Sequence, residues 1–157
     1  MTSLEKKLAF TQRKSYEADF PELFLDSKIE PIFFPDSSQI MDELKHKISV
    51  LGKKIGGEDS SYLLQQTLKK AKADALWLAV LPGLSPQQSF VYTKYPVLRV
   101  KASGMLKVAS YFDWTAREFD FLAFFALDWS AGFAVDVYAG NSEVHGSDKP
   151  IYELTVW

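Results

Sequence analysis

The residue pattern changes near residue 75, and this change constrains the fold more than any other feature. Lys, Glu, Gln and Leu at helical spacing dominate residues 1–74, whereas sixteen of the twenty-three aromatic residues follow residue 75, together with many Val. Such a change predicts a mainly helical part at 1–74 and a mainly strand-forming part at 75–157. We therefore expect an α+β fold in which N-terminal helices pack on a C-terminal antiparallel β-meander of about five strands.

The length and composition predict a single folded domain covering residues 1–157. A chain of 157 residues, 47% of them hydrophobic, is long enough to bury a core. It has no cysteine, which excludes disulfides and thiolate sites. Charged residues interrupt the N-terminus, and no apolar run approaches the roughly eighteen residues of a membrane span. We expect a cytoplasmic protein with no membrane association.

Three helices are predicted in the N-terminal part. The first covers residues 3–18, with Ser3 as its cap. The second begins at Ser37 or Ser38 and carries apolar residues at spacings of three and four up to Leu51. The third follows the Asp-Ser-Ser sequence at 59–61, which is suited to a helix N-terminus.

The strands of the C-terminal part are predicted from two short loops. Ala102-Ser103-Gly104 and Ser130-Ala131-Gly132 each end in Gly, which is typical of a hairpin turn closed by a left-handed residue. The second loop would place Trp129 opposite Phe133 and Phe125 opposite Val137. A connection at 113–116 would pair the two hairpins. The predicted strands are 97–101, 105–112, 117–129, 133–139 and 151–157. The apolar run at 75–81 is either a further strand, which we favour, or the tail of the third helix, because periodicity does not distinguish the two.

One face of this predicted meander mixes acidic and aromatic side chains. Aromatic residues are enriched in the cores of protein interfaces, and acidic residues favour basic partners. Residues 115–157 also carry two basic residues against seven acids. We therefore predict a partner-binding face made of Tyr111, Glu118, Asp120, Phe124, Asp128, Asp136 and Tyr138. The alternative is that the N-terminal helices cover this face and simply bury Phe124.

The best candidate for catalysis is a pair of carboxylates, Asp128 and Asp136. In the predicted register they are diagonal neighbours about 7 Å apart, close enough for general acid–base work or a divalent ion. No third ligand accompanies them, because His46 and His145 lie in different parts of the chain and outside any metal-binding motif. The sequence has no nucleotide-binding loop and no serine-nucleophile motif, and we predict no metal and no cofactor.

Three functions are compatible with these patterns. The first is a non-catalytic protein-binding domain, such as an inhibitor, antitoxin or immunity protein that neutralises a basic partner, for example a bacterial toxin nuclease. The second is a small enzyme or ligand-binding protein that uses Asp128 and Asp136. The third is a structural subunit of a homodimer that pairs through its C-terminal strand. Nucleic-acid binding is not expected, because acids interrupt the basic strip formed by Lys53, Lys54 and 69–72.

Overall fold

The computed structural model describes residues 1–51, 53–56, 60–81, 94–111, 121–138 and 151–157, which form five helices and seven strands. The helices are α1 (Ser3–Asp19), α2 (Pro21–Leu25), α3 (Asp36–Leu51), α4 (Ser60–Lys70) and α5 (Ala102–Ala109). The strands are β1 (Glu30–Ile32), β2 (Lys53–Gly56), β3 (Leu76–Val80), β4 (Val97–Lys101), β5 (Phe121–Ala126), β6 (Gly132–Tyr138) and β7 (Ile151–Val156).

The seven strands form one antiparallel sheet in the order β1-β4-β3-β5-β6-β7-β2. This arrangement confirms the α+β class with N-terminal helices and an antiparallel sheet. Two of the strands, β1 and β2, come from the N-terminal part and lie at the two edges. Strand β7 lies inside the sheet, between β6 and β2. A homodimer that pairs through the C-terminal strand would have to displace β2.

Helices cover both faces of the sheet. On one face, Leu98, Leu122 and Phe124 pack in a core that also contains buried residues of α1, α2, α4 and α5. On the other face, Phe121 and Phe125 pack against α3. All six residues of β5 are buried, which explains its uninterrupted apolar sequence Phe-Leu-Ala-Phe-Phe-Ala. Strands β3, β4, β5 and β6 therefore have buried side chains on both faces of the sheet.

Local sequence determines the long helices correctly. The helices predicted at 3–18, up to Leu51, and after 59–61 correspond to α1, α3 and α4. The cap of α1 is one residue earlier than predicted: the Thr2 hydroxyl accepts a hydrogen bond from the Glu5 amide at 3.1 Å, and the Glu5 carboxylate accepts one from the Thr2 amide at 2.7 Å. The favoured interpretation of 75–81 as a strand is also confirmed, by β3.

The strand predicted at 105–112 is wrong, because residues 102–109 form α5. Met105, Val108 and Ala109 are buried and share one helix face, which the alternating pattern obscured. Gly104 lies within this helix rather than at a turn. A Cβ atom there would be 3.0 Å from Cγ2 of Val100, so this glycine allows α5 to pack closely on β4.

The predicted pairing of β5 with β6 is also wrong. Phe124 is opposite Phe133, and Phe125 is opposite Gly132. The cause is the loop at 127–131, in which Trp129 and not Gly132 has the left-handed backbone, with φ of 65°. The true register differs from the predicted one by five residues. An odd shift exchanges the faces, so Phe125 and Phe133 lie on opposite sides of the sheet. Strand β5 pairs with β3 instead of a strand at 105–112.

The unusual backbone at Trp129 leads to a test of this loop. Both Trp129→Ala and Trp129→Gly remove the indole that stacks on Phe125 at a centroid distance of 4.6 Å. Left-handed backbone costs a residue with a Cβ atom about 1–2 kcal/mol and costs glycine almost nothing. We expect the Gly variant to be more stable than the Ala variant by about 1 kcal/mol in denaturant melts. A Gly variant less stable than the Ala variant would contradict the loop conformation.

Candidate functional site

Asp128 lies in the loop between β5 and β6 and helps to shape it. Its Oδ1 atom accepts hydrogen bonds from the Ser130 amide at 3.0 Å and from the Ser130 hydroxyl at 2.6 Å. These hydrogen bonds, the side-chain one first, lower the pKa of Asp128, so the carboxylate is charged at neutral pH. The side chain is exposed. Asp128 is therefore both a turn-stabilising residue and a negative charge available to a partner.

The structure does not form the predicted carboxylate pair. Asp136 is opposite Phe121 in the sheet, four residues beyond Gly132 along β6. At about 3.3 Å per residue this places Asp136 some 13 Å from the loop end where Asp128 lies. The diagonal contact of about 7 Å expected from the sequence depended on the wrong register. The acid–base hypothesis based on Asp128 and Asp136 consequently loses its geometric support.

Tyr111 makes an intramolecular contact away from the loop at 127–131. It follows α5, and its hydroxyl donates a hydrogen bond to the Glu22 carboxylate of α2, which raises the pKa of Tyr111. A parallel contact joins Lys107 Nζ to Asp26 Oδ2 at 2.6 Å and lowers the pKa of Asp26. These two contacts link α5 and the residues that follow it to α2 and to Asp26, the residue after α2. Tyr111 therefore contributes to a link between helices rather than to a common face with Asp128.

Phe124 cannot belong to an exposed partner-binding face. Its side chain is 0% exposed, in the core with Phe133 and Leu122. The alternative stated from the sequence, that helices cover this face and bury Phe124, is the correct one. Of the remaining members of the predicted face, Glu118 and Asp120 fall outside the described residues, and the backbone of Asp136 and Tyr138 forms part of β6.

The described part of the chain contains a half-open groove of about 1040 Å³. We call it the tryptophan groove, and it lies between the end of α4 and the loop at 127–131. Alanines at 71, 75, 126 and 131 line it together with Trp77 and Trp157. Trp77 is 2% exposed and Trp157 is half-buried, so Trp157 is the more accessible of the two indole rings. Asp128 is a predicted site residue that also lines this groove.

The rims of the tryptophan groove carry charges of both signs. At the α4 end the exposed residues Lys70, Lys72 and Asp74 line the groove, and Asp128 lines it from the loop. Leu127 is beside Asp128 and is 38% exposed, an apolar residue at the edge of the groove. An apolar floor, one rim with two lysines and one acid, and a second rim with Asp128 suit an amphipathic segment that carries charges of both signs.

Most of the residues that form this groove could not be predicted from the sequence. Trp77 was assigned only to a buried strand, and Lys70 and Lys72 only to a solvated helix face. The groove combines residues 66–77, 126–131 and 157, and no local pattern indicates that these come together. The one available signal was the number of alanines beside tryptophans, which is compatible equally with an ordinary core.

Within the described ranges, no three His, Asp or Glu side chains are grouped as they would be around a metal ion. His46 is exposed on α3, as expected. None of the described helices is both long and apolar enough to cross a membrane.

Comparison with known proteins gives no match. The chain matches no protein-family model, no curated protein and no solved structure. The functional argument therefore depends on the geometry and chemistry of this chain alone.

Proposed function

We propose that this protein is a non-catalytic protein-binding domain that holds a segment of a partner protein in the tryptophan groove. The observation that carries the proposal is the groove itself: it is about 1040 Å³, half open, and has an apolar floor between charged rims. Sites for small molecules are typically about 300–1,000 Å³ and enclose most of the ligand. This groove is at the upper end of that range but is half open, so it would leave much of a small molecule exposed and is better suited to a chain segment that extends out of it.

The rims suggest the chemistry of that segment. A basic side chain of the partner would approach Asp128, whose carboxylate stays charged because Ser130 hydrogen-bonds it. An acidic or hydroxyl side chain would approach Lys70 and Lys72. Apolar side chains between them would cover Trp157 and the alanines of the floor. Tryptophan is enriched among the residues that dominate binding energy at interfaces.

We further propose that the partner as a whole is basic and that the protein acts as an inhibitor of the immunity type, in the cytoplasm. This part of the proposal rests on sequence composition. Residues 115–157 contain two basic and seven acidic residues, and an acidic surface accelerates association with a basic protein such as a toxin nuclease.

The groove can be tested with a photoreactive amino acid introduced at Leu127, expressed in the native host. Val50 on α3 provides the matched control, because it is also an exposed apolar residue and does not line the groove. We expect one discrete cross-linked protein from position 127 and none from position 50.

Binding kinetics with that purified partner would then separate the roles of the rim residues. Leu127→Ser should increase the dissociation rate by about tenfold, because it removes apolar contact at the edge of the groove. Asp128→Asn should mainly slow association, and the difference should shrink at high salt. Val50→Ser should change neither rate. If Leu127→Ser and Asp128→Asn leave both rates unchanged, the partner does not bind in the groove.

A further inference from the structure

The exposed side of α1 carries one aromatic residue surrounded by four positive charges. Phe10 is 57% exposed. Lys6 and Lys7 precede it by four and three residues, and Arg13 and Lys14 follow it by three and four, all of them exposed. Residues three and four apart are neighbours on a helix surface, so these four cations flank Phe10 along the helix. We call these five residues the basic face of α1. The Arg13 guanidinium itself lies over the Phe24 ring, 5.7 Å from its centroid.

The orientation of this face is fixed by the opposite side of the helix. Gln12 and Tyr16 are both 0% exposed. The Gln12 side chain donates a hydrogen bond to the Tyr95 carbonyl at 3.0 Å and accepts one from the Phe34 amide at 2.9 Å. Because these contacts bury one side of α1, the helix cannot rotate to bring Phe10 into the core. The basic face is a stable feature of the surface.

The charges on this face are not balanced locally. Lys14 Nζ lies 5.0 Å from the centroid of the Phe10 ring, so one cation rests on the aromatic face. Within the described part of the chain, none of the four cations is ion-paired with a carboxylate; the ion pairs near α1 and α2 use Lys94 and Lys107. Glu17 is the only acidic residue three or four positions from any of the four. Four like charges around an exposed ring are unfavourable for the isolated domain, which suggests that they act on something outside it.

We propose that the basic face of α1 docks an acidic protein surface with an apolar recess for Phe10. The cations would contact carboxylates around the recess, and the ring would fill it, an arrangement in which aromatic and Arg residues contribute most of the binding energy. The distance from Lys6 to Lys14 is about 12 Å along the helix, the size of one helix or loop of a partner. A membrane fits less well, since helices that lie in a lipid interface present several large apolar residues and this face has one.

This inference is independent of the proposed function. The basic face shares no residue with the tryptophan groove, and its charge is opposite to that of residues 115–157. A partner docked on α1 would therefore be a second, acidic protein.

The test uses fluorescently labelled probes and the full chain. The first probe is a twelve-residue peptide of Glu with Leu at two central positions, and the others are an all-Glu peptide, a single-stranded oligonucleotide and phosphatidylserine vesicles. We expect the Glu/Leu peptide to bind best, with an affinity that falls as salt rises. Failure to bind at about 1 mM would overturn the proposal, as would tighter binding of the oligonucleotide or the vesicles.

Variants identify the residues involved. The double variant Lys6→Glu with Lys7→Glu should weaken binding of the Glu/Leu peptide at least about tenfold. Phe10→Ser should weaken this binding about fivefold. The matched control is Lys69→Glu with Lys101→Glu, which makes the same change in net charge at two exposed positions away from α1. This control should stay within about twofold of the wild type. An equal loss of affinity in the control, or no loss with Phe10→Ser, would overturn the proposal.

Leu127→Ser should leave the peptide affinity unchanged, so that failure of this site and failure of the groove can be told apart. Thermal melts confirm that each variant is folded.

Discussion

Phe124→Ala should lower the free energy of unfolding by about 3–5 kcal/mol, the usual cost of emptying the site of a buried aromatic residue. Phe124 is 0% exposed and lies in the middle of β5, between β3 and β6. Its neighbours belong to paired strands and packed helices, so the cavity cannot collapse easily. Denaturant melts at a single pH measure the effect.

Phe10→Ala is the matched control for this experiment. It removes the same side chain from a position that is 57% exposed, and surface substitutions usually change stability by less than about 0.5 kcal/mol. A loss below about 1 kcal/mol for Phe124→Ala would place Phe124 at the surface and would restore it to the partner-binding face predicted from the sequence.

Gly132→Val should destabilise the protein by about 3 kcal/mol or more, the upper end of the cost of overpacking. A Cβ atom at position 132 would lie 1.9 Å from Cζ2 of Trp157, much closer than two carbon atoms can approach. Gly132 and Trp157 also exchange two backbone hydrogen bonds, at 3.1 and 3.2 Å, which hold the two residues side by side. The indole would have to leave its place near Phe125, where the ring centroids are 6.3 Å apart.

A double-mutant cycle checks this cause. Trp157→Ala removes the colliding ring, so Gly132→Val should cost much less in the Trp157→Ala background than in the wild type. Gly104→Ala serves as a milder comparison, because its Cβ atom would be 3.0 Å from a single methyl group of Val100. If the effects of Gly132→Val and Trp157→Ala are additive, the clash is not the reason for glycine at 132.

The candidate site could be predicted from the sequence only in part. The tryptophan groove brings together Lys70, Trp77, Asp128 and Trp157, which are separated by up to 87 positions. Asp128 was predicted from the sequence to be a binding residue because of its charge, and this charge is exposed beside the groove. Its proposed neighbours were wrong, because they were inferred from a register that the conformation of Trp129 does not permit.

The sequence by itself determined the α+β class, the three long helices and the C-terminal strand β7, and it favoured the buried strand β3 over a continued helix. Each of these depends on local properties: a periodicity of 3.6 or 2, a capping residue, or a run of apolar side chains. Tertiary structure decided that residues 102–109 form a helix, that β5 pairs with β3, and that both faces of the sheet are covered. Periodicity indicates which residues share a face of one helix or strand, but it does not indicate which other element covers that face. Pairing and coverage depend on contacts between residues far apart in the chain, and a single left-handed residue at Trp129 was enough to exchange the two faces of β6 relative to β5.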